Sequence, residues 1–139
     1  MSKLAYAAAI LAVVSVPAIA DTNVQMLRQV PAESLTVTDW YKKDVYDSNN
    51  NKIGEVMDVL VDKSGRINTL IVGVGGFLGA GEKDVAVPFD AVEATMKDKK
   101  MYLVMNATKD SLKSAPGFKY DRQMTKWVPD TSKSNSTSQ

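Results

Sequence analysis

The chain has 139 residues, of which 45% are hydrophobic, and a formal net charge of +1, which fits one ordinary globular domain. It contains neither cysteine nor histidine, so disulfides, thiolate chemistry, most zinc sites and histidine-based acid–base relays are excluded. Without long blocks of Lys and Arg, the chain also lacks the electrostatic footprint of a nucleic-acid-binding protein.

The N-terminus has the pattern of an export signal. Lys3 supplies a positive charge, residues 4–16 form an uncharged apolar run, and Ala18-Ile19-Ala20 is a small-x-small cleavage site. Cleavage after Ala20 predicts a formally neutral, periplasmic chain with no remaining membrane span. The alternative is a retained anchor, but the apolar run is shorter than the about 20 residues that cross a bilayer, and no cysteine is present to carry a lipid.

The composition divides the chain into five segments. They are a signal peptide (1–20), an N-terminal arm with some helix (21–39), a β-rich domain (40–107), a C-terminal helix and packing segment (108–128) and a disordered tail (129–139). The tail is predicted to be disordered because it has no apolar residue from Thr131 onwards, so burial cannot offset its ordering entropy.

The β-rich domain is predicted to contain strands separated by turn signals, at residues 43–47, 53–61, 67–74, 85–89 and 100–106. A hairpin joins 53–61 to 67–74, with Gly65 in the turn available for a positive φ. Strict alternation places Ile53, Met57 and Val59 on one face of the first strand, and Val56 and Leu60 on the other. This spacing predicts an antiparallel barrel or sandwich.

The segment after the strands predicts a short helix. Thr108 is the expected N-cap, and Pro116-Gly117 stops the helix. The aromatic residues that follow are expected to pack back on the barrel. Several strands are apolar on both faces, whereas a small barrel buries only its inner face. The surplus must therefore meet the helix, the arm or another subunit.

The β-rich domain resembles the PRC-barrel family. The similarity rests on residues 45–62, on the Gly65-Arg66-Ile67 turn, and on the glycine-rich and Pro88-containing stretches that follow. It covers residues 40–107, and residues 108–121 are similar to the tail of exported bacterial members. Phe89, where many members have Trp, and Asn50-Asn51, where Asp-Gly is commoner, are departures. The resemblance implies a small, mostly antiparallel β-barrel with a binding or assembly role and no shared catalytic residues.

The glycine-rich segment 73–81 resembles a phosphate-binding loop only in part. Glu82 stands where a Walker loop requires Lys, and a second acid, Asp84, would also repel a phosphate. The segment instead carries an apolar pair, Phe77 and Leu78, on a loop between strands. We therefore predict that Phe77 and Leu78 contact a partner.

The other candidates for chemistry favour structural roles. Residues 47–51 mimic the start of a calcium loop, but Lys52 replaces the glycine of its sharp turn, and a plain turn is favoured. The spacing selects no catalytic pair among the carboxylates Asp58, Asp62, Glu82, Asp84 and Asp90, which are expected on the surface. The methionines, including Met57, Met96, Met101 and Met105, are not clustered as copper ligands and are expected to fill the core.

The sequence therefore predicts a non-enzymatic periplasmic protein that acts as an interaction or assembly module, with no metal and no cofactor. Its partner would be an envelope protein or a second copy of the chain in a homodimer, and not nucleic acid. The alternative is a small-ligand or ion-binding protein that uses the glycine-rich loop at the barrel mouth.

Overall fold

A computed structural model describes residues 24–75 and 82–133. The predicted signal peptide, Phe77 and Leu78, and the end of the predicted tail lie outside the described residues. The chain divides into two compact units, residues 1–33 and residues 34–139. In the first unit, residues 24–33 contain bends and a turn but neither helix nor strand.

The second unit is mostly β. Its described part has two helices, α1 (Val37–Trp40) and α2 (Lys109–Ser114), and short 3-10 turns at Phe89–Ala91 and Thr131–Lys133. The strands are β1 (Asp44–Tyr46), β2 (Lys52–Val61), β3 (Ile67–Val74), β4 (Lys83–Pro88), β5 (Val92–Lys97), β6 (Lys100–Met105), β7 (Phe118–Asp121) and β8 (Lys126–Pro129). None of the helices in residues 24–75 and 82–133 has the length and apolar character needed to cross a membrane.

Short polar side chains form hydrogen bonds with backbone amides where helix α2 begins and where the β2–β3 turn closes. The Thr108 hydroxyl accepts a hydrogen bond from the Ser111 amide, and Ser111 accepts one from the Thr108 amide, which makes a capping box. Gly65 has a φ of +83°, and Asp62 accepts hydrogen bonds from the Ser64 and Arg66 amides across the β2–β3 turn. The predicted N-cap and the predicted turn glycine are both confirmed.

The strands that the structure describes form one sheet in the order β5-β6-β1-β2-β3-β4-β7-β8. The predicted antiparallel arrangement is confirmed in part: the other ladders of this sheet are antiparallel, but β1 pairs with β6 in parallel, Val45 opposite Leu103. The reason is that the β5–β6 hairpin crosses back to lie beside β1. No ladder joins the edge strands β5 and β8 within the described ranges, so the predicted barrel is confirmed only as a mostly β fold.

One apolar cluster forms the core of this unit. Val45, Val56, Leu70, Val72 and Leu103 are fully buried within it. The helix and the 3-10 turn add to the same cluster, since the Trp40 and Phe89 rings lie 4.7 Å apart between centroids. The core therefore joins β1 and β6 to β2 and β3 through side chains as well as through the backbone ladder.

Strand β2 does not keep the strict alternation that its sequence predicts. Ile53 and Val56 are both in the core, because the register of the β1–β2 ladder shifts and leaves Ile53 as an extra residue. The register shifts at two places along the β2–β3 ladder, and the first lies between Val56, opposite Val72, and Asp58, opposite Ile71. Met57 is the extra residue of this bulge. Because a bulge reverses the faces of the residues beyond it, Val59 then packs against the core.

The C-terminal hairpin covers part of the outer face of the sheet. Ile71 is buried but lies outside the core cluster, and its partner on β2 is Asp58. The indole Nε1 of Trp127 donates a 2.7 Å hydrogen bond to Asp58 Oδ2. Asp58 was expected to be a surface carboxylate, and it is instead a part-buried acceptor that fixes the hairpin to β2. The surplus apolar surface is thus met in part from within the chain.

The predicted disordered tail begins too early at residue 129. Pro129 lies in β8 opposite Phe118. Asp130 is buried, its amide donates to the Gly117 carbonyl, and its carboxylate accepts from the Ser132 hydroxyl at 2.6 Å. These polar contacts order residues 129–133 without apolar burial, which the composition argument did not consider.

Replacing Trp127 by Phe should loosen the C-terminal hairpin. The substitution keeps an aromatic ring but removes the donor to Asp58, and leaving a part-buried acceptor without its partner costs about 1–3 kcal/mol. Urea unfolding should show this loss for W127F and almost none for Y120F, which alters an exposed neighbouring ring. The loss of unfolding free energy caused by W127F should be smaller in a D58A background, where the acceptor is already absent. Equal stability of W127F and Y120F would contradict the role of this hydrogen bond.

Candidate functional site

The edge of the sheet where β1 and β6 begin carries a groove of about 650 Å³. Because parallel strands start at the same edge, the segments that lead into β1 and β6 lie side by side. One segment is α1 with the short connection to β1. The other is the tight turn between β5 and β6. These two segments are the walls of the groove, and β1 and β6 supply its floor.

Each wall presents two lysines. Lys42 and Lys43 come from the connection after α1. Lys99 comes from the β5–β6 turn, and Lys100 is the first residue of β6. Lys42 has a φ of +63° and Lys99 a φ of +62°, which places both in the left-handed region that is used in tight turns. The walls are therefore held by compact backbone turns.

The first wall is also tied to the sheet by its backbone. The Lys42 amide donates to the Val56 carbonyl at 2.8 Å, and the Val56 amide donates to the Lys43 carbonyl at 2.9 Å. The Lys43 amide donates in turn to the Trp40 carbonyl. Since Trp40 and Val56 belong to the core, these lysines are positioned by the most buried part of the unit.

The floor of the groove is aromatic and apolar. The rings of Tyr46 and Tyr102 lie 6.0 Å apart between centroids, tilted at 58°, and Met101 lines the groove beside them. All three side chains are half-buried. The groove is also lined by two exposed apolar residues, Leu35 before α1 and Met96 on β5, which are 58% and 64% exposed.

Positive charge exceeds negative charge in the groove. Four lysines and two aspartates line it, an excess of two positive charges. Asp44 is paired with Lys52 at 2.7 Å, and that hydrogen bond raises the pKa of Lys52. Lys42 is paired with Glu55 at 3.5 Å. In the described parts of the chain, Lys43, Lys99 and Lys100 form no ion pair with a carboxylate.

The chain is similar to a known protein family over the whole β-rich domain predicted from the sequence. The PRC-barrel domain model matches residues 32–112, which is more than half of the chain. The chain belongs to the PRC-barrel family. No curated protein matches it at a significant level. The family match confirms the resemblance drawn from the sequence, and it spans both walls and the floor of the groove.

A second cleft of about 430 Å³ lies beside the glycine-rich segment of the PRC-barrel domain. Gly54, Gly73, Gly75 and Glu82 line it together with Lys42 and other lysines. Glycine is required at position 54, because a Cβ there would lie 2.6 Å from Val72 Cγ1. The cleft has both signs of charge, and the 3.5 Å Lys42–Glu55 pair belongs to its lining.

The structure does not describe the predicted contact pair Phe77 and Leu78. It describes the two ends of their segment, where Val74 pairs with Lys83 and Gly75 has a φ of +104°. This pair therefore stays a prediction. The residues of the lysine-lined groove were missed by sequence reasoning, although the runs Lys42-Lys43 and Lys97-Asp98-Lys99-Lys100 were visible in the sequence.

The other sequence candidates are separated or used in turns. Asp47 Oδ1 accepts hydrogen bonds from the Asn49 and Asn51 amides, at 2.9 and 2.8 Å. These oxygens serve the β1–β2 turn, as the favoured interpretation held. Within residues 24–75 and 82–133, no group of three or more acidic side chains is arranged to hold a metal ion.

The prediction that the methionines fill the core is confirmed for some of them and wrong for others. Met105 is buried in the core, whereas Met101 and Met96 line the lysine-lined groove. Met57 lies in the β2 bulge, where its Sδ is 3.6 Å from the Lys42 Nζ. Core packing therefore explains Met105, whereas Met101 and Met96 belong to the surface of the groove.

Acid should destabilise this domain partly through its two aspartate-closed turns. Hydrogen bonds from Asn51 lower the pKa of Asp47, and the Ser64 hydroxyl and turn amides lower the pKa of Asp62. A folded-state pKa below the ordinary 3.8 gives stability that is present above that pH and is lost as the pH falls through the folded pKa. The double variant D47N/D62N keeps one oxygen acceptor at each site but cannot titrate.

The measurement is the melting temperature followed from about pH 6 to about pH 2. The variant should lose less of its melting temperature than the parent chain over the acid part of this range. Parallel curves would contradict a contribution of these two carboxylates.

Proposed function

We propose that this PRC-barrel protein is an exported, non-enzymatic periplasmic module that binds an envelope protein through the lysine-lined groove. The observation that carries the proposal is the groove itself. Its walls hold three lysines without carboxylate partners among the described residues, and it has a half-buried aromatic floor. An apolar centre surrounded by a polar, solvent-accessible rim is the usual composition of a protein-binding surface.

Support for export comes from the N-terminal sequence. A charged residue, an apolar run and the Ala18-Ile19-Ala20 site follow one another as in a secretory signal. The absence of cysteine is compatible with an oxidising compartment, because the domain then needs no disulfide. The groove lies far along the chain from the cleavage site and would be kept in the mature protein.

Support for a binding role comes from the direction in which the described groups are perturbed. Acid–base catalysis without histidine needs a carboxylate or a lysine whose pKa moves toward neutrality. The resolved shifts go the other way, since the pKa values of Asp47 and Asp62 are lowered and that of Lys52 is raised. None of these three groups, which lie outside the lysine-lined groove, is therefore a candidate general acid or base.

A partner of different sequence fits the groove better than a second copy of the chain. A two-fold dimer would place the same surface of each copy against itself. An interface built on this groove would gather Lys43, Lys99 and Lys100 of both copies. The carboxylates that line the groove are Asp39 and Asp44, and Asp44 is already paired with Lys52. Like charges at close range oppose such a contact, so we assign the groove to an envelope protein.

A second candidate function is small-ligand binding at the glycine-lined cleft. Its volume of about 430 Å³ falls in the range of ligand sites, and Gly75 of the glycine-rich segment and the following Glu82 line it. Native mass spectrometry of the mature protein from its own periplasm tests this candidate. A reproducible extra mass that is lost in G73V would favour it, and the bare mass of the chain would count against it.

Export predicts that the mature chain starts at Asp21. N-terminal sequencing of the protein from the periplasmic fraction of its host should read Asp-Thr-Asn-Val. The variant A20D should keep the unprocessed mass, because an acidic residue does not fit the small-residue cleavage position. An unprocessed wild-type chain in the cytosol would contradict the proposed location.

Interaction through the groove predicts position-dependent crosslinks in living cells. A photo-crosslinking residue at Met96, beside the groove, should give an adduct with one envelope protein, and the charge reversal K99E/K100E should reduce it by about tenfold. The matched control is the same residue at Met124, an exposed site on the β7–β8 turn. Adducts that are equal at both positions, or unaffected by charge reversal, would contradict the proposed function.

A further inference from the structure

We infer that the lysine-lined groove recognises a short acidic segment of a protein, in which Asp or Glu residues flank an apolar or aromatic side chain. This inference rests on the proposed function and names the chemistry of its partner. The apolar side chain would lie on the tyrosine floor, and the acidic residues would reach the lysines of the two walls.

The first step is the placement of charge on both walls. Lys43 stands on the wall that follows α1, and Lys99 and Lys100 stand on the opposite wall, in the β5–β6 turn and at the start of β6. The carboxylates nearby are engaged elsewhere. Asp44 holds Lys52, and Glu55 pairs with Lys42. A ligand with negative charge on both sides would therefore meet ammonium groups that no described carboxylate neutralises.

The second step is the apolar floor between these walls. Tyr46, Tyr102 and Met101 are half-buried there. A small inorganic anion would leave this surface unused. A flat lipid surface would reach the exposed Leu35 and Met96 before it reached the floor, since these two side chains are much more exposed. A polypeptide segment can place one apolar side chain on the floor while its flanking residues remain at the lysines.

The third step is size. A volume of about 650 Å³ lies within the range of specific binding sites and accommodates a few residues, not a folded domain. Asp39 adds a selective element, because its carboxylate lines the groove and accepts a 2.7 Å hydrogen bond from the Thr36 hydroxyl. It disfavours an acidic residue directly beside it, so the charges of the ligand should be confined to the lysine positions.

The experiment is selection of heptapeptides from a random display library on the purified mature protein. The selected peptides should carry two or more Asp or Glu residues around an apolar or aromatic one. Their affinity, measured by fluorescence anisotropy, should fall about tenfold in K99E/K100E. It should be unchanged in K119E/K126E, which makes the same charge change at exposed lysines of the C-terminal hairpin. Thermal melts confirm that both variants are folded.

Three outcomes would overturn the inference. The first is selection of peptides without acidic residues. The second is acidic peptides that bind K99E/K100E as well as the parent chain. The third is binding to phosphatidylglycerol vesicles through Lys99 and Lys100 with no acidic peptide selected, which would assign the groove to a membrane surface. If the crosslink at Met96 remains sensitive to charge reversal while the peptides are neutral, this inference fails and the proposed function stands. If acidic peptides are selected but no crosslink forms at Met96, the proposed function fails and the peptide preference of the groove stands.

Discussion

The parallel pairing of β1 with β6 is the constraint on which the rest of this structure depends. Val45 and Leu103 are opposite each other across it, and both are fully buried. A short three-residue strand is thereby held in the middle of the sheet, with a hairpin on either side. The pairing also determines that two distant stretches of chain enter the sheet at one edge. The core and the candidate site therefore share one topological cause.

Much of the fold was readable because its local chemistry agrees with its tertiary environment. Strand β3 has the predicted limits, since most of residues 67–74 are apolar or β-branched and the strand lies between turn residues. Strand β2 is different. Its alternation fails at Met57, and no residue type there signals a bulge. Strands β5, β7 and β8 were missed. In β5 and β7 polar residues such as Glu93 and Lys119 give little apolar periodicity, and β8 has only four residues. Their pairing comes from the backbone, which composition does not record.

The candidate site was harder to predict than the fold. Its lysines lie at positions 42–43 and 99–100, and only the parallel pairing brings them together. Tyr46 and Tyr102 similarly belong to strands that are neighbours in space but distant in sequence. The glycine-rich segment is contiguous in the sequence and was therefore predicted as the contact site instead. The same difficulty applied to Asp58, whose donor Trp127 is 69 residues away.

The join between β4 and the C-terminal hairpin has a consequence for cooperativity. The two strands share a single paired position, Asp84 with Phe118, whereas β3 and β4 share six. An element that is bound by so short a ladder opens at lower free energy than the sheet to which it is attached. We therefore expect its amide protons to exchange with solvent before those of β3, an opening that the Trp127–Asp58 hydrogen bond opposes.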